Sequence, residues 1–137
     1  MGTEKTEIHE TIRRFAEGWS SHDPAKLSAI FTEDCFYEDV TLNVSAHGRT
    51  EVGEFLLDWC RSSSDLKMTL THQFGEGDRV GAEWIFTGHL DGEPLDGIPA
   101  TGKAFEFRGA TLFEFEGDQV RWCIDVWNLM AVARQTA

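Results

Sequence analysis

The sequence VRWCIDVWN, residues 120 to 128, sets a single carboxylate inside a stretch that is otherwise mostly apolar and aromatic. The two-residue period of a β-strand divides this stretch into two faces. One face carries Asp125 together with Arg121, Cys123 and Trp127, and the other carries Trp122, Ile124, Val126 and Asn128. Both faces are predicted to be largely buried, where an ionised carboxylate is costly unless it is paired. Asp125 is therefore predicted to be either a hydrogen-bonded structural group or a carboxyl tuned for proton transfer.

A second aspartate lies in a similar setting, in the predicted strand CFYEDV at residues 35 to 40. Its alternation puts Cys35, Tyr37 and Asp39 on one face. Desolvation raises the pKa of a carboxyl toward working pH, so two aspartates on inward strand faces suit acid/base chemistry. Structural and functional roles both stay open for the pair.

Composition limits the partners of the chain. Its 137 residues predict a single domain spanning 1–137, and its net charge of −12 with scattered Lys and Arg disfavours nucleic acid, anionic membranes and polyanionic substrates. The N-terminal residues are polar, which predicts neither a signal peptide nor a membrane span. Three cysteines, an odd number in apolar contexts, indicate reduced thiols. The expected location is the cytoplasm.

Three helices are predicted from apolar spacing and from capping residues. The first covers residues 3 to 21 and carries Ile8, Ile12, Phe15 and Trp19 on one stripe. The second opens at Asp23-Pro24 and carries Leu27, Ile30 and Phe31. The third follows a loop at residues 41 to 49, is capped by Thr50, and carries Val52, Phe55, Leu56 and Trp59.

The rest of the chain predicts antiparallel strands. Residues 66–74 and 79–89 form a hairpin, and residues 103–115 alternate with Phe105, Phe107, Gly109, Thr111 and Phe113 on one face. A glycine inside so long a strand predicts a bend or a bulge at Gly109. Residues 90–102 hold two of the three prolines, which predicts a mobile rim or lid. Residues 129–135 are expected to form a short tail.

Two motifs in the chain are weak. The sequence GIPATGK at residues 97 to 103 matches part of a phosphate-binding loop, but Ala104 follows where a Ser or Thr would bind magnesium. The five histidines show no metal spacing, so no metal site is predicted. His72 stands apart because it alternates with Met68, Leu70 and Phe74 on an apolar face.

Several motifs resemble those of the SnoaL-like polyketide cyclases, a branch of the NTF2-like superfamily. They are WSSHD at 19–23, FTEDCFYED at 31–39, HGR at 47–49, and GIPATGK at 97–103 with FRG at 107–109. The resemblance covers nearly the whole chain. It implies a cone-shaped α+β fold, with a curved, mostly antiparallel sheet and three helices enclosing an apolar pocket.

The resemblance also implies roles for individual residues. In the cyclases the acid/base aspartate corresponds to Asp125, and an assisting histidine corresponds to Thr111. In ketosteroid isomerases the general base corresponds to Asp39, whereas the two oxyanion-hole groups correspond to Phe15 and Thr111. In limonene-type epoxide hydrolases the last-strand aspartate again matches Asp125, with Trp84 and Phe86 at the positions of the arginine and the second aspartate.

We therefore expect an enzyme that needs no cofactor and moves protons on a hydrophobic ketone-bearing or polycyclic small molecule, by cyclisation, isomerisation or a related step. Asp125 and Asp39 are the predicted catalytic residues. The predicted substrate-binding residues are Phe15, Trp19, Tyr37, Trp84, Phe86, Phe107, Thr111 and Trp127. Two alternatives remain: a non-catalytic ligand-binding or dimeric assembly module, and an epoxide-hydrolase-like enzyme.

A homodimer is also expected, because a curved sheet with helices on its concave side leaves a second face to bury. We name this the outer sheet face, and its predicted residues are Ala110, Leu112, Trp122, Ile124 and Val126.

Overall fold

A computed structural model describes residues 5–137 as a sheet of six strands accompanied by four helices. The predicted helical residues Thr3 and Glu4 lie outside the described part of the chain. The elements are α1 (Lys5–Ser21), α2 (Pro24–Ser28), β1 (Phe31–Asp39), β2 (Val44–His47), α3 (Gly48–Ser62), β3 (Lys67–Glu76), β4 (Arg79–His89), β5 (Ala104–Glu116), β6 (Gln119–Trp127) and α4 (Leu129–Thr136).

The six strands form one curved, open sheet in the order β2-β1-β6-β5-β4-β3. Within the described residues, every neighbouring pair is antiparallel except β1 and β6. That parallel pairing joins the first strand of the chain to the last strand and places Asp39 beside Asp125. The predicted α+β class with a mostly antiparallel sheet is confirmed, although four helices form where three were expected.

The helices pack as their apolar stripes predict. Ile8, Ile12, Phe15 and Trp19 of α1 are all buried, and α1 lies against β3 and α2. The Asp23 side chain accepts a hydrogen bond from the Ala25 amide and so caps α2. The assignment of Ile30 and Phe31 to this helix was wrong, because α2 ends at Ser28. Ile30 lies in the turn that follows, and Phe31 opens β1 with its side chain fully buried.

The connection at residues 41–49 is more ordered than predicted. It contains β2, which pairs with β1 and covers that edge. The cap of α3 was also misplaced: the helix begins at Gly48, so Thr50 lies inside its first turn. The Glu51 carboxylate accepts a hydrogen bond from the His47 amide, which satisfies a donor at the true N-cap.

The expected bulge at Gly109 does not occur, because β5 keeps continuous register with β4 through this residue and pairs with β6 from this residue onward. Gly109 instead makes room for Trp84 on β4: an added Cβ would lie 2.3 Å from the indole Cη2. The irregularity falls between Glu114 and Phe115, which pair with Trp122 and Val120. Arg121 is therefore the extra residue of a bulge and is exposed, so its predicted place on the face of Asp125 was wrong.

Residues 129–135, predicted as a tail, belong to α4, which packs on β5. Asn128 was predicted to end the outer face of the strand, but its side chain accepts a hydrogen bond from the Met130 amide and caps this helix.

The interpretation of His72 was also wrong. A register shift between Leu70 and His72 takes the imidazole off the buried face, and its side chain is 73% exposed. In a bulged strand the simple two-residue alternation no longer holds.

The segment from Leu90 to Gly102 lies over the end of α3. The Gly92 and Glu93 amides donate to the Ser62 and Arg61 carbonyls, at 3.2 and 2.7 Å respectively. Leu90 is fully buried, which the absence of an apolar period did not predict. Mobility of this segment stays a prediction.

Candidate active site

Two aspartates, Asp39 on β1 and Asp125 on β6, form the centre of the site; we call them the acid pair. Their backbones are register partners in the parallel ladder, so both side chains leave the same side of the sheet. Asp39 is 2% exposed and Asp125 is 4% exposed, although charged residues are rarely buried to this degree. The two aspartates singled out in the sequence are thus brought together.

Two hydroxyl groups hold the Asp125 carboxyl. The Tyr37 hydroxyl donates to Oδ2 at 2.5 Å, and the Thr111 hydroxyl donates to Oδ1 at 2.6 Å. The Trp84 indole N–H donates to the Thr111 oxygen at 2.8 Å, which orients that hydroxyl toward the carboxyl. Thr111, where the resemblance implies a histidine, therefore acts as a hydrogen-bond donor to Asp125.

Opposing effects set the proton affinity of Asp125. Burial raises its pKa, and the neighbouring Asp39 raises it further, while the Thr111 and Tyr37 hydroxyls lower it. The net result is a pKa of about 8, compared with an ordinary value of 3.8. Burial and the adjacent Asp125 hold the pKa of Tyr37 well above its usual range, so the phenol remains a neutral donor. A carboxyl balanced near neutral pH is suited to both accept and return a proton.

Asp39 is held differently. The Trp127 indole N–H donates to both carboxyl oxygens, at 3.1 and 3.0 Å, and the Leu42 amide donates to Oδ1 at 2.9 Å. Burial raises the pKa of Asp39, while these donors oppose the rise. Trp127 thus both packs beside the acid pair and fixes one of its members.

The acid pair opens onto a small space that we call the inner cavity, with a volume of about 10 Å³. Its lining is aromatic apart from Met68 and the two carboxyls: Trp19, Asp39, Trp59, Met68, Trp84, Phe86, Phe107, Asp125 and Trp127. This volume corresponds to roughly one water molecule. The apolar pocket is therefore present, but its own side chains nearly fill it.

Five of the predicted substrate-binding residues line this cavity, namely Trp19, Trp84, Phe86, Phe107 and Trp127. The other three do not. Tyr37 and Thr111 stand behind Asp125 as its donors, and Phe15 packs against Tyr37 with ring centroids 5.9 Å apart. Phe15 is thus a buried core residue one layer away from the cavity.

Sequence reasoning missed Trp59 and Met68 as lining residues. Trp59 lies on the apolar stripe of α3, and Met68 lies on the buried face of β3, so each carried only a core signal. It also missed the bond between Tyr37 and Asp125, although Tyr37 shares a strand face with Asp39. The register of a parallel pair separated by 88 residues leaves no local pattern in the sequence.

Trp59 also borders a second space, which we call the outer groove. This groove has a volume of about 260 Å³ and lies between α3, the residues before β2, and the segment at residues 93–96. Its residues are Leu42, Val44, Phe55, Asp58, Trp59, Arg61, Ser62, Glu93, Pro94, Leu95 and Asp96. Trp59 is therefore the side chain that the inner cavity and the outer groove share.

Residues 5–137 offer neither a metal site nor a membrane-spanning helix. They contain no cluster of three or more His, Cys, Asp or Glu side chains placed to hold a metal ion. None of the helices in this part of the chain has the length and apolar character needed to cross a membrane.

Solved structures share this architecture. A protein of ketosteroid isomerase-like fold from Catenulispora acidiphila, in complex with trimethylamine, is 24% identical, with a TM-score of 0.83 over 93% of this chain and 92% of its own. TsrD from Streptomyces laurentii is 22% identical, with a TM-score of 0.86 over 98% and 97%. An NTF2-like protein from Burkholderia xenovorans is 17% identical, with a TM-score of 0.74 over 99% and 100%. These likenesses concern the fold.

No curated protein matches the sequence. The model of the family described as SnoaL-like polyketide cyclase matches residues 9–136, which include both aspartates and every residue of the inner cavity. The chain therefore belongs to the SnoaL-like polyketide cyclase family.

Proposed function

We propose that this protein is an acid/base enzyme that works without a cofactor on a hydrophobic, ketone-bearing small molecule. One observation carries the proposal: a buried carboxyl, Asp125, borders an aromatic cavity and has a pKa raised to about 8. Such a group accepts a proton from a weak carbon acid more readily than an ordinary carboxylate does. Membership in a cyclase family supports the same reaction class.

The chemistry follows from what Asp125 can do in its ionised form. It would remove a proton from a carbon next to the ketone, which leaves the electron pair of the C–H bond as an enolate. In an isomerisation the neutral carboxyl then returns the proton to a different carbon. In a cyclisation the enolate carbon attacks a second carbonyl of the same molecule, and the new alkoxide takes the proton. Asp39 is the second carboxyl of the proposed site and raises the proton affinity of the first.

The test is Asp125→Asn, measured for turnover and thermal stability on one preparation. The amide keeps the size of the carboxyl but does not exchange a proton near neutral pH, so we expect a loss of about 10²- to 10⁴-fold in kcat/KM. The melting temperature should hold or rise, because the amide removes the cost of burying a charge. Asp78→Asn, in the exposed turn between β3 and β4, is the matched control and should change neither quantity.

A structural role for Asp125 makes the opposite prediction. If the carboxyl serves only to bond Tyr37 and Thr111, the amide mismatches one hydroxyl and costs about 1–3 kcal/mol of stability. Normal turnover combined with a lower melting temperature would end the catalytic proposal.

A second candidate function is the binding of a small organic cation without turnover. The inner cavity combines aromatic faces with two carboxyls, and none of its lining residues is basic. Aromatic faces and carboxylates both attract ammonium groups, and the C. acidiphila relative was solved with trimethylamine. Choline and its uncharged isostere 3,3-dimethylbutan-1-ol discriminate: a cation site should prefer choline, more strongly as pH rises through about 8 and Asp125 ionises.

The epoxide-hydrolase alternative has less support, because none of the residues lining the inner cavity is an arginine that would polarise the epoxide.

We further propose that the protein is a homodimer that buries the outer sheet face. A cytoplasmic location is also proposed; Cys35, Cys60 and Cys123 are all free, as expected in a reducing compartment.

A further inference from the structure

The Trp19 indole is an unusual feature of the inner cavity. Its ring is 2% exposed and lines the cavity, yet its Nε1 hydrogen has no hydrogen-bond partner among the described residues. Buried indole N–H groups normally have a partner, and an orphan in a folded protein needs an explanation. Trp84 and Trp127 also line the cavity, and their indole N–H groups donate to Thr111 and Asp39 respectively.

Three aromatic rings pack edge to face against the Trp19 indole. The rings of Phe55 and Phe86 each stand at 90° to the indole, with centroids 5.6 and 5.8 Å away, and the Tyr37 ring crosses it at 83°. The Tyr37 hydroxyl is already engaged with Asp125. A contact between an N–H and an aromatic face is weaker than a bond to oxygen. An acceptor oxygen that reached the Trp19 N–H would therefore not displace a protein partner.

We propose that the Trp19 indole N–H donates a hydrogen bond to the carbonyl oxygen of the bound ligand. The inference deepens the proposed function and rests on it for the presence of a carbonyl. A donor fixed beside an enclosed aromatic cavity stabilises negative charge on that oxygen as the adjacent carbon loses its proton to Asp125. Trp19 thereby supplies the electrophilic half of a site in which the carboxyl supplies the basic half.

The proposal also selects the substrate class. An apolar molecule of the same shape has no acceptor and leaves the Trp19 N–H without a hydrogen bond. The cavity should therefore bind a ketone more tightly than its hydrocarbon isostere. The matched probes are cyclohexanone and methylenecyclohexane, which differ only in an oxygen or a CH₂ at one position. Both probes must displace the same aromatic side chains to enter, so the free energy of that displacement cancels in the ratio of their dissociation constants.

The experiment is a thermodynamic cycle on the full chain, with dissociation constants measured for both probes by ligand-observed NMR. Trp19→Phe keeps an aromatic ring but removes the donor. We expect the preference for the ketone over its isostere to fall by about fivefold in this variant, the effect of one neutral hydrogen bond. Trp122→Phe, on the outer sheet face, is the matched control and should leave the preference unchanged.

A second readout needs only the wild-type protein. In a ¹H–¹⁵N spectrum the indole resonance of Trp19, assigned by its absence in Trp19→Phe, should move downfield with cyclohexanone and stay in place with methylenecyclohexane. The Trp84 indole resonance, whose proton is already bonded, should change little with either probe. The proposal is overturned if the ketone preference survives in Trp19→Phe, if the downfield shift belongs to another indole, or if wild-type protein binds neither probe. Because no turnover is measured, failure of the catalytic proposal would be seen separately, in Asp125→Asn.

Discussion

At the scale of single residues, the proton on Asp125 couples activity to stability. Its pKa is about 8 in the folded protein and near 3.8 in an unfolded chain. Between these values the folded state holds a proton that the unfolded state has released. The contribution of Asp125 to the free energy of unfolding is therefore complete below about pH 4 and decreases as pH rises to about 8.

This linkage predicts how the difference in melting temperature between Asp125→Asn and wild type depends on pH. We expect the melting temperature of Asp125→Asn, relative to wild type, to increase from pH 5 to pH 9, because only wild type pays for ionising the buried carboxyl. Titrating groups that do not interact with Asp125 are common to both proteins and cancel, whereas Asp39 and Tyr37 are coupled to it, so the change in the difference belongs to this cluster. Thermal melts at intervals of one pH unit provide the measurement, with Asp78→Asn as the control. A constant difference across this range would contradict a raised pKa.

The residue scale is also where sequence reasoning succeeds and fails most clearly. A carboxyl inside an apolar strand is visible in the sequence, so Asp39 and Asp125 were both found. The donors Tyr37 and Thr111 were seen only as lining residues, because their bonds depend on how β1, β5 and β6 align. Alignment across a sheet is a tertiary property that alternation within one strand does not encode.

At the scale of elements, the middle of β5 is shaped by a glycine. Gly109 sits directly opposite Trp84, and the indole occupies the space that a side chain would need. The same indole orients Thr111, so this packing supports the site two residues further along the strand.

We expect Gly109→Ala to destabilise the protein by about 1–3 kcal/mol, the usual cost of overpacking. Urea denaturation measures this as a lower midpoint. The cost should shrink in a Trp84→Phe background, where the clashing ring atoms are gone, and this double-mutant cycle is the control. Equal costs in both backgrounds would show that the indole is not the obstacle.

The segment between β4 and β5 shows why element boundaries are hard to predict. Its prolines and glycines indicate a loop, but they say nothing about the hydrogen bonds from Gly92 and Glu93 to the end of α3. Short strands and helices such as β2 and α4 were missed for a related reason. Segments of four and eight residues are too short for a periodic pattern to stand out, and both are held by packing on β1 and β5.

We expect the mobility of this segment to be greatest in residues 96–101, because Leu90, Gly92 and Glu93 bond to Lys103 and to the end of α3, while Leu95 and Ile98 bond to each other. Amide hydrogen exchange followed by mass spectrometry resolves the two halves. Ligand binding should slow exchange in both halves. The effect should be smaller in residues 90–95, which border the outer groove, than in residues 96–101, which exchange faster without ligand. Exchange as slow in residues 96–101 as in β6, without ligand, would remove the prediction of a mobile rim.

At the scale of the whole molecule, the outer sheet face presents exposed apolar side chains. Leu112 is 42% exposed and Val126 is 39% exposed, and Phe74 at 55% stands beside them. These strands bound a groove of about 480 Å³ that includes Trp122. Apolar side chains clustered on one sheet face favour association, whereas the net charge of −12 on each chain opposes it.

We therefore expect a homodimer whose affinity increases with salt. Raising the ionic strength from 0.01 to 0.15 M shortens the Debye length from about 30 to about 8 Å, which screens the repulsion between two acidic chains and leaves apolar burial intact. Light scattering at micromolar concentration should give a dimer mass, with a dissociation constant that falls over this range. Leu112→Glu should yield monomers, while Leu57→Glu, at an exposed leucine on α3, should not. A monomer mass in wild type at both salt concentrations would contradict the proposed dimer and would mean that the outer sheet face is open to solvent.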